Sequence, residues 1–246
     1  MKRFWALILA AALLLNEWCV VNSVPRRNGT STTASELSGI LKKIVSPCTT
    51  EQTNCNNPDL DIVFALDSSS SINDTEFKAQ KYATNMIAEF IDRHSPIAPD
   101  GTRVGALTFA TDVVREFELN EHTGLESVQG YIDAIGRRMG GTNTKLALET
   151  AQLMFEDMFL EESWKLIWLH TDSMSNLGDP RPRATSIKKQ GWIICVVVIG
   201  NHENVDGIDD IASPGCVVKF GSFTEYAKVA KKAQGPDQFD EFGYQG

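Results

Sequence analysis

From Asp61 onward, continuous apolar runs alternate with segments of helical periodicity, and that alternation restricts the fold more than any other feature of the chain. Apolar runs predict strands over 61–67, 103–110, 113–119, 164–171, 192–199 and 217–220. Helical patterns fall between them at 74–93, 124–138, 145–158, 181–189, 206–212 and 223–233. Most of the strand runs are apolar throughout rather than at every second residue, as expected where both faces of a sheet are covered. Strands separated by helices imply right-handed crossovers between parallel neighbours. Only Thr111-Asp112 separates the second and third runs, which forces a tight hairpin and one antiparallel strand at an edge. The expected fold class is therefore α/β: a doubly wound, mostly parallel six-stranded sheet with one antiparallel edge strand and helices on both faces. No internal repeat is visible.

In a doubly wound sheet the loops that leave strand C-termini line the binding crevice. Two such strands end in an acid. Asp61-Ile-Val-Phe-Ala-Leu66 runs into Asp67-Ser-Ser-Ser-Ser71, and Leu166-Ile-Trp-Leu-His-Thr-Asp172 closes the fourth run. Asp67, Ser69 and Ser71 place a carboxylate and alternating hydroxyls on one side of a tight loop. Such oxygen donors suit a hard divalent cation such as Mg²⁺. One carboxylate carries too little charge to satisfy the ion, so waters or an open position remain. In Gly140-Gly-Thr-Asn-Thr144 the glycines let the backbone carrying Thr142 come close. Taken alone, a Ser-rich loop after a strand is equally well explained as a polar helix cap.

Asp67-x-Ser69-x-Ser71, then Thr142, then Asp172 resemble, in order and rough spacing, the metal-ion-dependent adhesion site of von Willebrand factor type A and integrin I domains. The resemblance covers about residues 59–234. It implies that Ser69, Ser71 and Thr142 touch the ion directly and that Asp67 and Asp172 act mostly through water. A Glu or Asp of a partner then completes the coordination. It implies Mg²⁺, with Mn²⁺ able to substitute. The chain departs from the family pattern in three ways. Ser173 stands where the family usually has Gly. Asn73-Asp-Thr75 is an N-glycosylation sequon two residues past Ser71, with a second sequon at Asn28-Gly-Thr30. A single module is present where adhesion proteins usually carry several.

The flanks place the domain. Residues 1–23 read as a secretory signal peptide: a basic start, then the short apolar core Phe4–Leu15, then small residues near Ser23. Residues 24–57 form a Ser/Thr-rich linker, within which Leu37, Ile40, Leu41, Ile44 and Val45 recur at helical spacing after a Ser35 cap. That short amphipathic helix either rests on the domain or drives self-association through residues 35–45. Residues 235–246 read as a flexible acidic tail, and no run is long enough to span a membrane. Cys19 leaves with the signal. A local Cys48–Cys55 disulfide is the first expectation, and Cys195 is either a buried thiol or bridged to Cys216. The four histidines are scattered and read as surface or loop residues.

Removing residues 1–23 deletes Lys2, Arg3 and Glu17, leaving 21 basic and 31 acidic side chains and a net charge of −10. An acidic chain without a basic stripe argues against nucleic acid as a partner. A DxD-type phosphatase needs an acid two residues past its nucleophile, and here that residue is Ser69. No Gly-x-Ser-x-Gly elbow, Walker loop or dinucleotide fingerprint appears. The expectation is a secreted, non-enzymatic module that binds an extracellular protein or matrix ligand through its Glu or Asp carboxylate. A structural matrix component with a vestigial metal site is the alternative, and a Mg²⁺-dependent hydrolase is a more distant one. Arg181 and Arg183 are read as a solvated loop entering a helix, with steering of an acidic ligand as the sharper alternative. Asp206, Asp209 and Asp210 are read as acids favouring a helix N-terminus.

Overall fold

Strand β1 (Leu60–Asp67) is buried along its whole length, and Asp61 and Asp67 are its only polar residues. It lies inside the sheet, between β2 (Arg103–Phe109) and β4 (Trp164–Thr171). The computed structural model describes residues 31–46, 59–160, 163–200 and 207–235. Beyond β2 lies β3 (Val113–Phe117), and beyond β4 lie β5 (Ile193–Ile199) and β6 (Val217–Phe220), in the order β3-β2-β1-β4-β5-β6. Only the β2–β3 pair is antiparallel, and Ala110 N–H donates to Asp112 O to close its hairpin. The six strands, the five parallel and one antiparallel, are those the apolar runs predict.

Successive side chains of each strand enter opposite layers. Ile62, Phe64 and Leu66 of β1 pack in one apolar core, and Val63 and Ala65 pack in the other. The first core is roofed by α1 (Ala34–Val45), α2 (Asp74–His94), α3 (Leu125–Ala134) and α7 (Phe223–Ala233). The second is roofed by α4 (Thr144–Asp157), α5 (Arg181–Lys189) and the short α6 (Ile208–Ile211). Helix α3 stops four residues short of its expected end. Lys81 Nζ takes the carbonyls of Asp133 (2.6 Å) and Ile135 (2.8 Å), and the chain leaves the helix there. Residues 135–141 are thereby freed to reach the end of the sheet.

Helix α1 is capped by Thr33 rather than Ser35: Thr33 Oγ1 accepts from Glu36 N–H, and Glu36 returns the bond to the Thr33 backbone. Its apolar stripe is already used. Leu37 and Leu41 are fully buried in the first core, with Ile44 and Val45 beside them. Just before it, Thr32 N–H donates to Lys219 O (2.7 Å) and Lys219 N–H donates to Thr32 Oγ1 (2.9 Å). These two bonds cover the outer edge of β6, which would otherwise expose unpaired backbone groups. The helix therefore rests on the domain. A self-association role for residues 35–45 has no apolar face left to use.

Cys195 of β5 is bridged to Cys216, 21 positions on in sequence, with Cα atoms 4.6 Å apart. The expected Cys48–Cys55 pair, the signal peptide, Asn28, Asp206 and all of the tail but Gly235 lie outside the described residues. One histidine differs from expectation: His170 lies within β4, fully buried, whereas His122 lies in a loop as expected, though buried against Phe117 and Tyr131. At the N-terminal end of the strands, buried Asp61 receives two 2.7 Å bonds from Arg103, with Lys165 Nζ at 3.7 Å. Among the described residues no helix is long and apolar enough to cross a membrane.

Candidate metal centre

The direction of the winding reverses between β1 and β4. From β1 the chain crosses outward to β2, and β4 returns to the other side of β1, pairing Ala65 with Leu169. The loops after these two strands therefore open side by side, as the topology rule requires. Asp67 ends β1 and Asp172 follows β4. Ser71 hydroxyl donates to Asp172 Oδ1 at 3.0 Å, and Ser69 Oγ lies 3.0 Å from Ser71 Oγ. Ser69, Ser71 and Asp172 thus form one connected row of oxygens across the two loops.

Asp67 lies beneath this row, with no solvent exposure. Its Oδ1 accepts from Ser69 N–H (2.9 Å), and its Oδ2 lies 3.0 Å from the Thr171 hydroxyl. That hydroxyl also lies 2.7 Å from Ser173 O, and its single proton can serve only one of the two acceptors. Gln80 Nε2 donates to Asp67 O (2.9 Å), fixing the end of the strand from the α2 side. Burial pushes the Asp67 carboxyl up to about 7; the Ser69 bonds pull it down, and the charge of Asp172 adds to the rise. A carboxylate held so far from water gains from any cation brought near it.

The third loop is brought in by backbone contacts. Ser70 N–H donates to Gly140 O (3.0 Å), and Gly140 N–H donates to Ser70 Oγ (2.9 Å). Gly140 has φ +136°, and a Cβ there would stand 2.5 Å from Thr111 Oγ1. A Cβ on Gly141 would stand 2.9 Å from Asn176 Oδ1. The two glycines are what allow the close approach. Thr142 is then held from the β4 side: its N–H donates to Asn176 Oδ1 (2.9 Å), and Asn176 N–H donates to Thr142 O (3.0 Å). Thr142 Oγ1 lies 3.4 Å from Ser173 Oγ, so the serine in place of glycine adds a hydroxyl beside the threonine.

All five residues singled out in the sequence, Asp67, Ser69, Ser71, Thr142 and Asp172, thus lie on three loops tied to one another at one end of the sheet. Among the described residues no three His, Cys, Asp or Glu side chains gather as a metal site. A cation here would rely on two carboxylates and three hydroxyls, an oxygen-only set that fits a hard ion. Three arginines of the flanking segments pair with other acids. Arg137 binds Asp74 (2.6 Å), Arg181 binds Asp179 (2.8 Å) and Arg183 binds Glu149 (3.0 Å). Arg181 and Arg183 lie in the first turn of α5 rather than in the loop before it, and Arg183, which also donates to Gln152 (3.2 Å), ties that turn to α4. Sequence reasoning missed Gln80, Thr171 and Asn176. Thr171 was detectable as the residue preceding the acid, whereas nothing in the local pattern marks Gln80 or Asn176.

The chain has measurable relatives. Residues 61–232 match the model of the von Willebrand factor type A domain. A mouse protein named for sushi, von Willebrand factor type A, EGF and pentraxin domains is 32% identical over 187 residues, covering 71% of this chain and 5% of that one. Human matrilin-1 is 31% identical over 127 residues, covering 50% of this chain and 25% of its own length. The chain therefore spans a quarter or less of these relatives. Among solved structures, proximal thread matrix protein 1 from the mussel byssus, with a zinc-occupied MIDAS motif, is 28% identical at a TM-score of 0.63, covering 72% of this chain and 45% of that one. Manganese-loaded Plasmodium vivax TRAP protein shares the fold, with 17% identity, a TM-score of 0.59 and coverage of 73% and 75%. The family match over most of the chain, on a sheet of this topology, places it in the von Willebrand factor type A domain family.

Proposed function

We propose that this chain is a secreted, non-enzymatic binding module that captures an acidic side chain of an extracellular protein or matrix ligand through a bound Mg²⁺ or Mn²⁺. The observation that carries the proposal is the connected row Ser69–Ser71–Asp172 above the buried Asp67 carboxyl. Ser69, Ser71 and Thr142 would hold the ion by their hydroxyls. Asp67 and Asp172 would balance its charge, mostly through water. When bound, the ion supplies an electrophilic position that a ligand carboxylate can fill. The chain's own residues do the rest. Asn176 and the two glycines orient Thr142, Gln80 fixes the end of β1, and Thr171 holds the Asp67 carboxyl in line.

The oxygen-only donor set favours Mg²⁺ or Mn²⁺ for this chain. The MIDAS motif of the mussel matrix protein holds zinc, so Zn²⁺ is a competitor to test beside Mg²⁺ and Mn²⁺. The names of the mussel protein and of the matrilins support a matrix setting, which also suits a structural component whose metal site is vestigial. Retention of ligand on the immobilised chain from extracellular extract separates the two. Loss of retention with chelator, and with Asp172→Ala, supports cation-bridged capture. Retention that survives both supports the structural reading.

A further inference from the structure

Asn73-Asp74-Thr75 fits the acceptor pattern for N-linked glycosylation, and the structure shows what the acceptor side chain does after folding. Asn73 is exposed and forms the N-cap of α2. Its Oδ1 accepts from the N–H groups of Thr75 (2.9 Å) and Glu76 (3.0 Å), and its backbone N–H donates to Glu76 Oε2 (2.9 Å). The whole capping function rests on the amide oxygen. No hydrogen bond among the described residues uses Nδ2. Attachment of a sugar consumes one hydrogen of Nδ2 and leaves the carbonyl as an acceptor. The cap and the modification therefore use opposite ends of one amide.

The location gives the modification a consequence. Ile72, fully buried, anchors the chain between Ser71 and Asn73. Arg137 donates to Ile72 O (2.9 Å) and to Asp74 Oδ1 (2.6 Å), which ties the start of α2 to the segment that leads into the Gly140–Thr142 loop. Asn73 is thus a fixed point on the rim, two residues from the Ser71 hydroxyl that reaches Asp172.

We propose that Asn73 carries an N-linked oligosaccharide, standing on the α2 side of the candidate metal centre while the helix cap stays intact. In the transfer, Asn73 Nδ2 loses a proton and forms a bond to the anomeric carbon of the oligosaccharide. The bond broken joins that carbon to the pyrophosphate oxygen of a lipid-linked donor, and the lipid pyrophosphate leaves with the electron pair. The proposal rests on the extracellular part of the reading above and not on the metal.

The test is to express the full chain in a eukaryotic secretory host and map its peptides by mass spectrometry before and after peptide-N-glycosidase treatment. Glycan on Asn73, kept in Thr75→Ser and lost in Thr75→Ala, is the expected result. An unmodified Asn73 in the secreted protein overturns the proposal, whatever the state of Asn28. The intact cap is read separately, from protein trimmed to a single sugar and compared with Thr75→Ala. Melting temperatures less than about 2 °C apart are expected, and a deficit of about 2 °C or more in the trimmed protein, the shift that loss of an N-cap produces in a domain of this size, overturns that part. Metal titration of Thr75→Ala remains available to test the metal reading on its own, so the two can fail independently.

Discussion

Ser71 and Asp172 lie 101 residues apart in sequence, and the hydroxyl of one donates to the carboxylate of the other at 3.0 Å. The contact joins the loops after β1 and β4, which are neighbouring parallel strands on either side of the reversal in winding. A small polar residue and an acid at two strand ends thus become one site, because the sheet places those ends side by side.

Ion binding should be linked to a proton. In the metal-free domain the Asp67 carboxyl sits at about 7, so below that pH it is neutral, and a divalent ion must displace its proton. Affinity for Mg²⁺ should fall by up to about tenfold per pH unit below 7. Calorimetry at pH 6 in two buffers of different ionisation heat should show proton release, and Asp67→Asn should release none at this site.

The same carboxyl should mask a second titration. The folded Asp67 value is raised from 3.8 to about 7, so its contribution to stability is full below 3.8 and is lost as pH rises through 7. His170 has the opposite slope. Burial lowers it from 6.5 to about 3, so its contribution is full above 6.5 and is lost as pH falls toward 3. Between about pH 4 and 6.5 the two slopes oppose each other in the metal-free domain. Asp67→Asn should uncover the histidine. Relative to wild type, the variant should lose about 1.4 kcal/mol more stability for each unit of acidification in that window. Urea denaturation across the range would show it, and parallel curves for the two proteins would refute it.

At the far end of the sheet, Asp61→Ala should cost about 3–5 kcal/mol, because it strands the buried Arg103 and Lys165 without their anion. Denaturant unfolding measures the loss. Metal affinity should be unchanged, since Asp61 lies at the N-terminal end of β1 and the candidate site at its C-terminal end.

Helix α1 should behave as part of the domain core. Leu37→Ala or Leu41→Ala should each cost about 2–5 kcal/mol, the usual result of emptying a fully buried leucine site. Removing the Cys195–Cys216 bridge with a pair of alanines should cost about 3 kcal/mol through the loop it closes. Either set of variants at wild-type stability would contradict the packing described.

The sheet was legible because its strands are continuous apolar runs, so their existence and the one antiparallel edge strand followed from pattern and connection rules, whereas the strand order came only with the structure. The site was legible to the extent that its donors end strands: Asp67, Ser69, Ser71 and Asp172 are positioned by topology alone. What fixes them was not legible. Asn176 holds Thr142 from a loop with no repeating pattern, and Gln80 reaches Asp67 O from the second turn of a helix. Such bonds depend on how two elements meet in space. Helix α1 was visible as a periodic stripe, but the faces of α2 and α7 that bury it are not encoded within the stripe. His170 was misplaced for a similar reason: a buried imidazole in a strand is acceptable because Ala65 O lies 3.3 Å from Nδ1 and Tyr226 OH, on α7, lies 3.0 Å from Nε2.

The central claim is that Asp67, Ser69, Ser71, Thr142 and Asp172 hold a divalent cation. Calorimetric titration of Mg²⁺ into wild type and into Asp172→Ala at pH 7.5 tests it most directly, because Asp172 is partly exposed and its loss leaves both apolar cores untouched. The account predicts a saturable, one-site heat for wild type, absent in the variant, with metal-free melting temperatures within about 2 °C of each other. Equal heats in the two proteins, or no saturable heat in wild type, would contradict it.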